Sequence, residues 1–401
     1  MNRFPRELPY RFSPPKYSRF WAPLIYGLSD SFYLRRRHRV DEVTVKGGGE
    51  QAIRLAEGGD SLIFAPNHSD HGDAHVLLHL ARKYGVPIHF MAAREVFLAN
   101  HGFNGRVLQR AGVFSIDREG SDLRSIKEAM RIVYEGEYPL VMFPEGEIFH
   151  LNEQLTPLNE GVATIMLRTA KRLQKEGLER TAAIVPTAMR YTYIDDISPL
   201  FGPAMDRLEA FLHWKPQVDL PIVDRIYKFG DGLLGLKEQE FLGRRLEGDL
   251  LERLTRFREL IVEDAENRHS GAVGEGVHPE RVRRLRGKIR SELLADDGPE
   301  PARRILLHRD LDRLHFAVQL YSYPGTYLRD KPSVDRIAET ILKFEEDVFG
   351  ATVPKGRRRV EVTFCAPISM GEWLGDYGDD AKGTVARVTN HVASAIGQAL
   401  A

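Results

Sequence analysis

The apolar sequence SLIFAP at residues 61–66 runs directly into the polar sequence NHSDHGD at residues 67–73. A short apolar run of this kind is typical of a buried β-strand, and residues 74–83 that follow have the pattern of a helix. Ligands bind at such strand-to-helix turns in α/β proteins, because the carboxyl ends of strands and the N-termini of helices meet there. The stretch therefore predicts both a fold class and the place of a functional site.

His68 and Asp73 are the candidate catalytic residues in this turn. Histidine is the side chain best suited to proton transfer near neutral pH, and a nearby carboxylate can orient it and stabilise its charged form. Asn, Ser and Asp also favour helix N-termini, so capping alone is the simpler explanation of the turn. Two His and two Asp in one turn make a functional role the better interpretation.

Apolar runs and helical patterns alternate on both sides of this stretch. Further strands are predicted at residues 43–45, 86–91, 112–116, 139–144, 182–187 and 360–365. Helices are predicted at residues 51–57, 102–110, 122–134, 161–175 and 381–400. Strands that are apolar throughout and are separated by helices indicate an α/β fold, with a mainly parallel sheet covered by helices on both faces.

The alternation stops between residues 195 and 356, which are charged and helical in pattern, with helices expected within 239–268, 279–294 and 302–320. We interpret this region as a large helical insertion before the last strand. The predicted domains are an N-terminal amphipathic and basic segment at 1–40, an α/β core at 41–194, the insertion at 195–356, and a closing strand and helix of the core at 357–401.

Composition limits the functional classes. The 401 residues contain 57 Lys and Arg and 57 Asp and Glu, so no basic excess points to a nucleic-acid partner. Cys365 is the single cysteine, which excludes an internal disulfide and fits a reducing compartment. Residues 1–16 lack the apolar core of a secretory signal, and no apolar run reaches the length of a membrane span. We expect a cytoplasmic protein, with a peripheral position on the inner face of the cell membrane as the variant of that expectation.

The N-terminal segment allows two interpretations. Residues 20–28 are apolar and aromatic, and residues 35–39 read RRRHR. Aromatic rings beside a basic cluster are typical of a segment that lies on a membrane surface. The alternative is a helix packed on the domain with a solvated charged end.

Polar residues also follow other predicted strands. They include Arg118 after the strand at 112–116 and Glu145 after the strand at 139–144. Val185-Pro186-Thr187 is predicted to form a further strand-end turn. The carboxyl ends of parallel strands meet at one edge of a sheet, so these residues and His68 are expected to converge.

Four of these stretches, taken in order, resemble the motifs of the glycerolipid acyltransferase family, which includes glycerol-3-phosphate and lysophosphatidic acid acyltransferases. The matching residues are Asn67, His68 and Asp73 for the first motif, Ile116-Asp117-Arg118 for the second, Phe143-Pro144-Glu145-Gly146 for the third, and Val185-Pro186 for the fourth. The resemblance covers residues 62–187 and does not extend to the insertion.

The resemblance implies direct acyl transfer with His68 as general base and Asp73 as its orienting partner. The donor would be acyl-CoA or acyl-carrier protein, and the acceptor a hydroxyl of a lysophospholipid or glycerol-phosphate-type molecule, without an acyl-enzyme or a cofactor. It also implies that Asn67, Arg118, Glu145 and Gly146 bind substrate, with Arg118 on a phosphate.

The sequence departs from the family pattern after the third motif. Glu147 and Glu160 replace residues that are usually neutral or basic, and Thr187 stands where an apolar residue is usual. An acceptor other than lysophosphatidic acid therefore remains open.

A dinuclear zinc hydrolase is the alternative function. The residues His68, Asp70, His71 and Asp73 form a ligand-like cluster that loosely resembles the signature of metallo-β-lactamase-type hydrolases. That interpretation leaves the second and third motifs unexplained, so our principal prediction has no metal.

Overall fold

A computed structural model describes residues 10–118, 122–275, 278–295 and 298–401. Within these residues eight strands form one sheet, in the order β1-β7-β6-β2-β5-β3-β4, with β8 beside β6. The strands are β1 (Val40–Gly47), β2 (Ser61–Pro66), β3 (His89–Ala93), β4 (Val113–Ile116), β5 (Leu140–Val141), β6 (Ala182–Tyr193), β7 (Arg358–Phe364) and β8 (Ile368–Ser369). The first nine residues of the predicted N-terminal segment lie outside the described residues.

Most strand pairs are parallel. Strands β6, β2, β5, β3 and β4 run in the same direction. Strand β7 is antiparallel to β6 and parallel to β1. The predicted α/β fold with a mainly parallel sheet is therefore confirmed.

Helices make up most of the remaining chain. The α-helices are α1 (Trp21–Leu28), α2 (Gly49–Glu57), α3 (Asp73–Tyr84), α4 (Arg94–Leu98), α5 (Phe103–Arg110), α6 (Leu123–Glu135), α7 (Gly161–Lys175), α8 (Phe201–Phe211), α9 (Ile222–Leu242), α10 (Leu250–Ser270), α11 (His278–Leu293), α12 (Pro301–Gln319), α13 (Tyr327–Asp330), α14 (Val334–Phe349), α15 (Leu374–Asp379) and α16 (Ala381–Leu400). A π-helical segment, Ser29–Arg37, continues α1. None of the described helices is both long and apolar enough to span a membrane.

Both faces of the sheet are covered. Along β2, Ile63 and Ala65 pack into one apolar cluster, which includes residues of α6, α7 and α16. Phe64 packs into a second cluster, which includes residues of α1 and α3. Successive side chains of a strand point to opposite faces, so β2 can be buried throughout only if helices cover both.

The chain divides into two compact units. The sheet unit consists of residues 10–117, 122–195 and 356–401. The helical unit consists of Asp196–Lys355, with which Arg118 is grouped. The helical unit has its own apolar core, built from side chains of α9 to α12 such as Phe257 and Leu314.

Besides shifts of a few residues at element ends, such as the strand predicted at 86–91 that begins at His89, three predicted elements differ from the structure. The strand predicted at 139–144 is reduced to β5, because the chain turns at Phe143, where Gly146 donates its backbone N–H to the Phe143 carbonyl at 3.1 Å. The strand predicted at 182–187 continues to Tyr193, because β7 pairs with its second half. The helical pattern at 239–268 is two helices, because Gly243 ends α9 in a left-handed conformation and Asp249 caps α10.

Candidate active site

The centre of the site is a histidine–aspartate pair at the carboxyl end of β2. His68 Nδ1 lies 2.9 Å from Asp73 Oδ2, and Asp73, the first residue of α3, is fully buried. The His68 ring stacks on Phe143, with the ring centroids 4.0 Å apart. Its side chain is 18% exposed, and in the described residues Nε2 has no hydrogen-bond partner. The pair therefore presents an oriented imidazole with one nitrogen available.

Both oxygens of Asp73 are fixed by the protein. Oδ2 also accepts the backbone N–H of Asp70 at 3.0 Å, and Oδ1 accepts the hydroxyl of Tyr191 on β6 at 2.6 Å. Burial raises the pKa of Tyr191 well above its ordinary value, and the charges of Asp73 and Asp70 raise it further. Tyr191 therefore remains a neutral donor to Asp73.

Glu145 supports the backbone of His68. Its Oε1 accepts the His68 backbone N–H at 2.6 Å, and its Oε2 accepts the backbone N–H of Thr156 at 3.0 Å and the Thr156 hydroxyl. Burial raises the pKa of Glu145, although these hydrogen bonds act in the opposite direction. Its buried carboxylate holds two loops of the protein together, and the contact of Glu145 with substrate stays a prediction.

Asn67 is also a supporting residue. Its side chain donates to the Met189 carbonyl at 3.0 Å and accepts the Met189 N–H at 2.7 Å, so it extends the pairing of β2 with β6. The residue is 1% exposed. Its amide is therefore used within the sheet and fixes the start of the His68 loop, and the contact of Asn67 with substrate stays a prediction.

Gly146 and Arg118 are the other two residues that the sequence predicts to bind substrate. Gly146 has a positive φ of 77° in the turn after Glu145. Arg118 is half-buried in the turn beyond β4 and is grouped with the helical unit. The predicted contacts of both residues with substrate remain predictions.

The fourth motif does not lie at a strand end. Pro186 and Thr187 pair with Ala65 and Pro66 in the middle of β6, and the Thr187 hydroxyl donates to the Val185 carbonyl at 3.1 Å. The strand-end turn predicted there is therefore wrong, since β6 continues beside β7 for six residues after Thr187.

Two functional candidates were missed by sequence reasoning, Tyr191 and Arg358. Arg358, on β7, donates to Asp70 Oδ2 at 2.6 Å and to Asp70 Oδ1 at 3.3 Å. Burial alone would raise the pKa of Asp70, but the Arg358 guanidinium and His38 hold it well below its ordinary range. Both residues lie beyond the last motif, and only the pairing of β6 with β7 brings them together.

The alternative zinc site is not supported by the donor geometry. Asp70 is bound to Arg358, Asp73 to His68 and Tyr191, and His71 is exposed. In the part of the chain that the structure describes, no three of His68, Asp70, His71 and Asp73 bring ligand atoms within reach of one ion.

The other histidines of α3 are structural. His75 Nδ1 lies 2.7 Å from Ser29 Oγ and its ring stacks on Tyr33, while His79 Nδ1 lies 3.0 Å from Asp30 Oδ1. Burial lowers the pKa of His75 to about 4. These residues attach the π-helical segment to α3.

Comparison with known proteins identifies the domain. Residues 43–190 match the family model described as Acyltransferase. A glycerol-3-phosphate acyltransferase from Aeromonas hydrophila subsp. hydrophila is 26% identical over 200 residues, which is 48% of this chain and 23% of that protein. The alignment thus spans less than a quarter of that relative. These matches confirm the resemblance to the glycerolipid acyltransferases, and residues 43–190 form a domain of the acyltransferase family.

Proposed function

We propose that the protein transfers an acyl group from a thioester donor to a hydroxyl of a glycerolipid-type acceptor, with His68 as general base. The observation that carries the proposal is the His68 Nε2 atom, which has no partner in the described residues while Nδ1 is held 2.9 Å from Asp73. The family of the domain supports the reaction class. The donor is acyl-CoA or acyl-carrier protein.

The reaction needs one proton to be moved twice. His68 Nε2 takes the proton of the acceptor hydroxyl as its oxygen attacks the thioester carbonyl. The tetrahedral intermediate collapses, the C–S bond breaks, and the thiolate leaves with the proton that His68 returns. Asp73 holds the ring and stabilises its positive charge during the transfer. The new ester and a free thiol are the products.

The acceptor is of the glycerol 3-phosphate or 1-acylglycerol 3-phosphate type. The name of the Aeromonas relative supports the first. In this proposal the guanidinium of Arg118 binds the acceptor phosphate through a forked pair of hydrogen bonds, as the second motif implies.

The experiment is thiol release from long-chain acyl-CoA and acyl-carrier protein, measured with a panel of acceptors and with and without a chelator. Release that depends on glycerol 3-phosphate or a lysophospholipid, and that is unchanged by the chelator, is expected. Failure of every acceptor with both donors, with a hydrolase activity that the chelator abolishes, would contradict the proposal.

The protein is further proposed to act at an anionic membrane surface. At Phe20, directly before α1, and within α1 and the π-helical segment, large apolar side chains face solvent, including Phe20 (78% exposed), Leu24 (52%) and Phe32 (56%). Arg36 and Arg37 follow, are exposed, and have no carboxylate partner among the described residues. Apolar side chains beside unpaired arginines fit a bilayer interface with acidic head groups.

A matched pair of double variants tests the membrane surface. Leu24 and Phe32 are as exposed as Leu236 (52%) and Phe211 (58%) of the helical unit. Changing Leu24 and Phe32 to Ser should weaken binding to phosphatidylglycerol vesicles by at least about tenfold, because each buried apolar side chain contributes about 1.5–3 kcal/mol. The same changes at Leu236 and Phe211 should have little effect. Equal effects of both pairs, or equal binding to phosphatidylcholine vesicles, would contradict the assignment.

A further inference from the structure

Two further supports of the histidine–aspartate pair lie outside the four motifs. They come from Tyr191 on β6 and Arg358 on β7, both buried. Arg358 is separated from Asp70 by 288 residues in the sequence. The site is therefore completed by a part of the chain that lies well beyond the matched domain, which ends at residue 190.

Tyr191 fixes the oxygen of Asp73 that His68 does not use. With the Tyr191 hydroxyl 2.6 Å from Oδ1 and His68 Nδ1 2.9 Å from Oδ2, the carboxylate is held in one orientation. The backbone of Tyr191 is itself fixed by Asn152, whose side chain donates to the Tyr191 carbonyl at 2.6 Å and accepts the Tyr191 N–H at 2.7 Å. Loss of the hydroxyl would leave one oxygen of a buried carboxylate without its donor.

Arg358 fixes the loop between His68 and Asp73. Besides its two contacts with Asp70, it donates to the His38 carbonyl from Nε at 3.1 Å and from Nη2 at 2.7 Å. Its guanidinium also lies over the Tyr191 ring, 4.6 Å from the centroid. One buried cation thus contacts both the loop and the tyrosine that holds Asp73.

The two supports are held next to each other by the sheet. Tyr193 pairs with Arg358 and Tyr191 with Val360, so β6 ends where β7 begins. Just beyond this pairing, Arg357 forms a fork with Asp195, with Nη2 2.7 Å and Nε 3.0 Å from Oδ1. The Arg357–Asp195 ion pair therefore joins the end of β6 to the start of β7. At this point the chain leaves the sheet unit and later returns to it.

We propose that Tyr191 and Arg358 are positioning residues for acyl transfer: Tyr191 holds Asp73 against His68, and Arg358 holds the His68–Asp73 loop through Asp70. The proposal rests on the proposed function. Neither residue is assigned a contact with substrate. Their loss should therefore change the rate of the chemical step much more than the binding of donor or acceptor.

The experiment measures kcat and KM for Tyr191→Phe and Arg358→Lys beside two matched controls. Tyr26→Phe removes another buried hydroxyl, whose hydrogen bonds within the described residues go to the backbone carbonyls of Ile88 and Ala111. Arg253→Lys alters another buried arginine, which is paired with Glu238 and Asp231 in the helical unit. Each positioning variant should lower kcat about tenfold, the loss expected for one oriented hydrogen bond, with KM within about twofold. The controls should keep kcat within about twofold, even where the melting temperature falls.

A comparison of conservative and non-conservative variants of Arg358 distinguishes a positioning role from a general loss of structure. Arg358→Gln should lose at least about tenfold more kcat than Arg358→Lys, because lysine keeps the charge beside Asp70 but not the fork. Tyr191→Phe keeps the shape of the ring, so it tests the proposal even if the arginine variants do not fold.

One outcome would overturn the inference alone, and a second would overturn it together with the proposed function. If His68→Ala abolishes transfer but Tyr191→Phe behaves like Tyr26→Phe, the positioning role is wrong and the proposed function stands. If His68→Ala retains full activity, the proposed function is wrong and the positioning role is wrong with it.

Discussion

The sheet unit and the helical unit each contain a histidine–aspartate pair of the same length. His68 Nδ1 lies 2.9 Å from Asp73 Oδ2, and His269 Nε2 lies 2.9 Å from Asp310 Oδ2. Their surroundings differ. The His269 side chain is 1% exposed and its second nitrogen lies 3.4 Å from Arg303 Nη2. The His68 side chain is 18% exposed, and its second nitrogen has no partner within the described ranges.

The difference shows what marks a site in this protein. Asp310 also receives a fork from Arg268, with both distances 3.0 Å, so its charge is compensated and the pair only joins helices. Asp73 receives neutral donors and directs its charge at one imidazole. A buried ion pair alone is therefore weak evidence for catalysis. An oriented histidine with a nitrogen left available is stronger evidence.

The largest expected difference between the His68–Asp73 pair and the His269–Asp310 pair is in kcat. Asp73→Asn should lower kcat about 10²–10⁴-fold, because His68 loses the carboxylate that orients it and stabilises its charge. Asp310→Asn should leave kcat of the folded protein unchanged, while lowering the free energy of unfolding by about 1.5–3 kcal/mol, since the fork from Arg268 is lost but Arg268 keeps Asp264 as a partner. Steady-state kinetics and denaturant unfolding of both variants check this prediction. Similar kcat values for Asp73→Asn and Asp310→Asn would contradict the assignment of the catalytic role to the His68–Asp73 pair alone.

The next effect concerns the pH dependence of stability. Arg358 holds the pKa of Asp70 well below its ordinary value in the fold, so this carboxylate stabilises the protein above its unfolded pKa, about 4. That contribution is lost as the pH falls through the folded pKa. Asp70→Asn should therefore cost about 3 kcal/mol at pH 7, and the difference from the unmodified protein should shrink below about pH 4. Unfolding curves from pH 7 to 3 measure it. A difference independent of pH would show that the pair is not charged.

The smallest effect compares two left-handed glycines. Gly146 and Gly243 have φ values of 77° and 72°. A Cβ at Gly146 would lie 2.9 Å from Asn159 Nδ2, whereas a Cβ at Gly243 meets open space. Alanine should cost about 1 kcal/mol at Gly243 from backbone strain and more at Gly146. Only Gly146→Ala should also lower kcat, because it would displace Glu145, whose carboxylate accepts the backbone N–H of His68. Equal effects on stability and activity would contradict this account.

The sequence predicts the centre of the site better than its supports. The strand at Ser61–Pro66 and the polar turn after it are local patterns, so β2 and the residues His68 and Asp73 could be recognised. The side-chain directions of Asn67 and Glu145 could not, because Met189 and Thr156 decide them from elsewhere in the chain.

Long-range pairing also hides part of the fold. The second half of β6 contains the polar residues Arg190 and Thr192, so its sequence does not have the pattern of a buried strand. It is a strand in the structure because β7 pairs with it. For the same reason Tyr191 and Arg358 carried no signal in the sequence.

The measurement that tests the central claim most directly is acceptor-dependent thiol release by the unmodified protein, His68→Ala and His269→Ala, with the ester product identified by mass. The account predicts that His68→Ala loses at least about 10²-fold in kcat while remaining folded. The folded fraction of His269→Ala should retain its kcat. Full activity of His68→Ala, or equal losses in the two variants, would contradict the assignment of His68 as the general base.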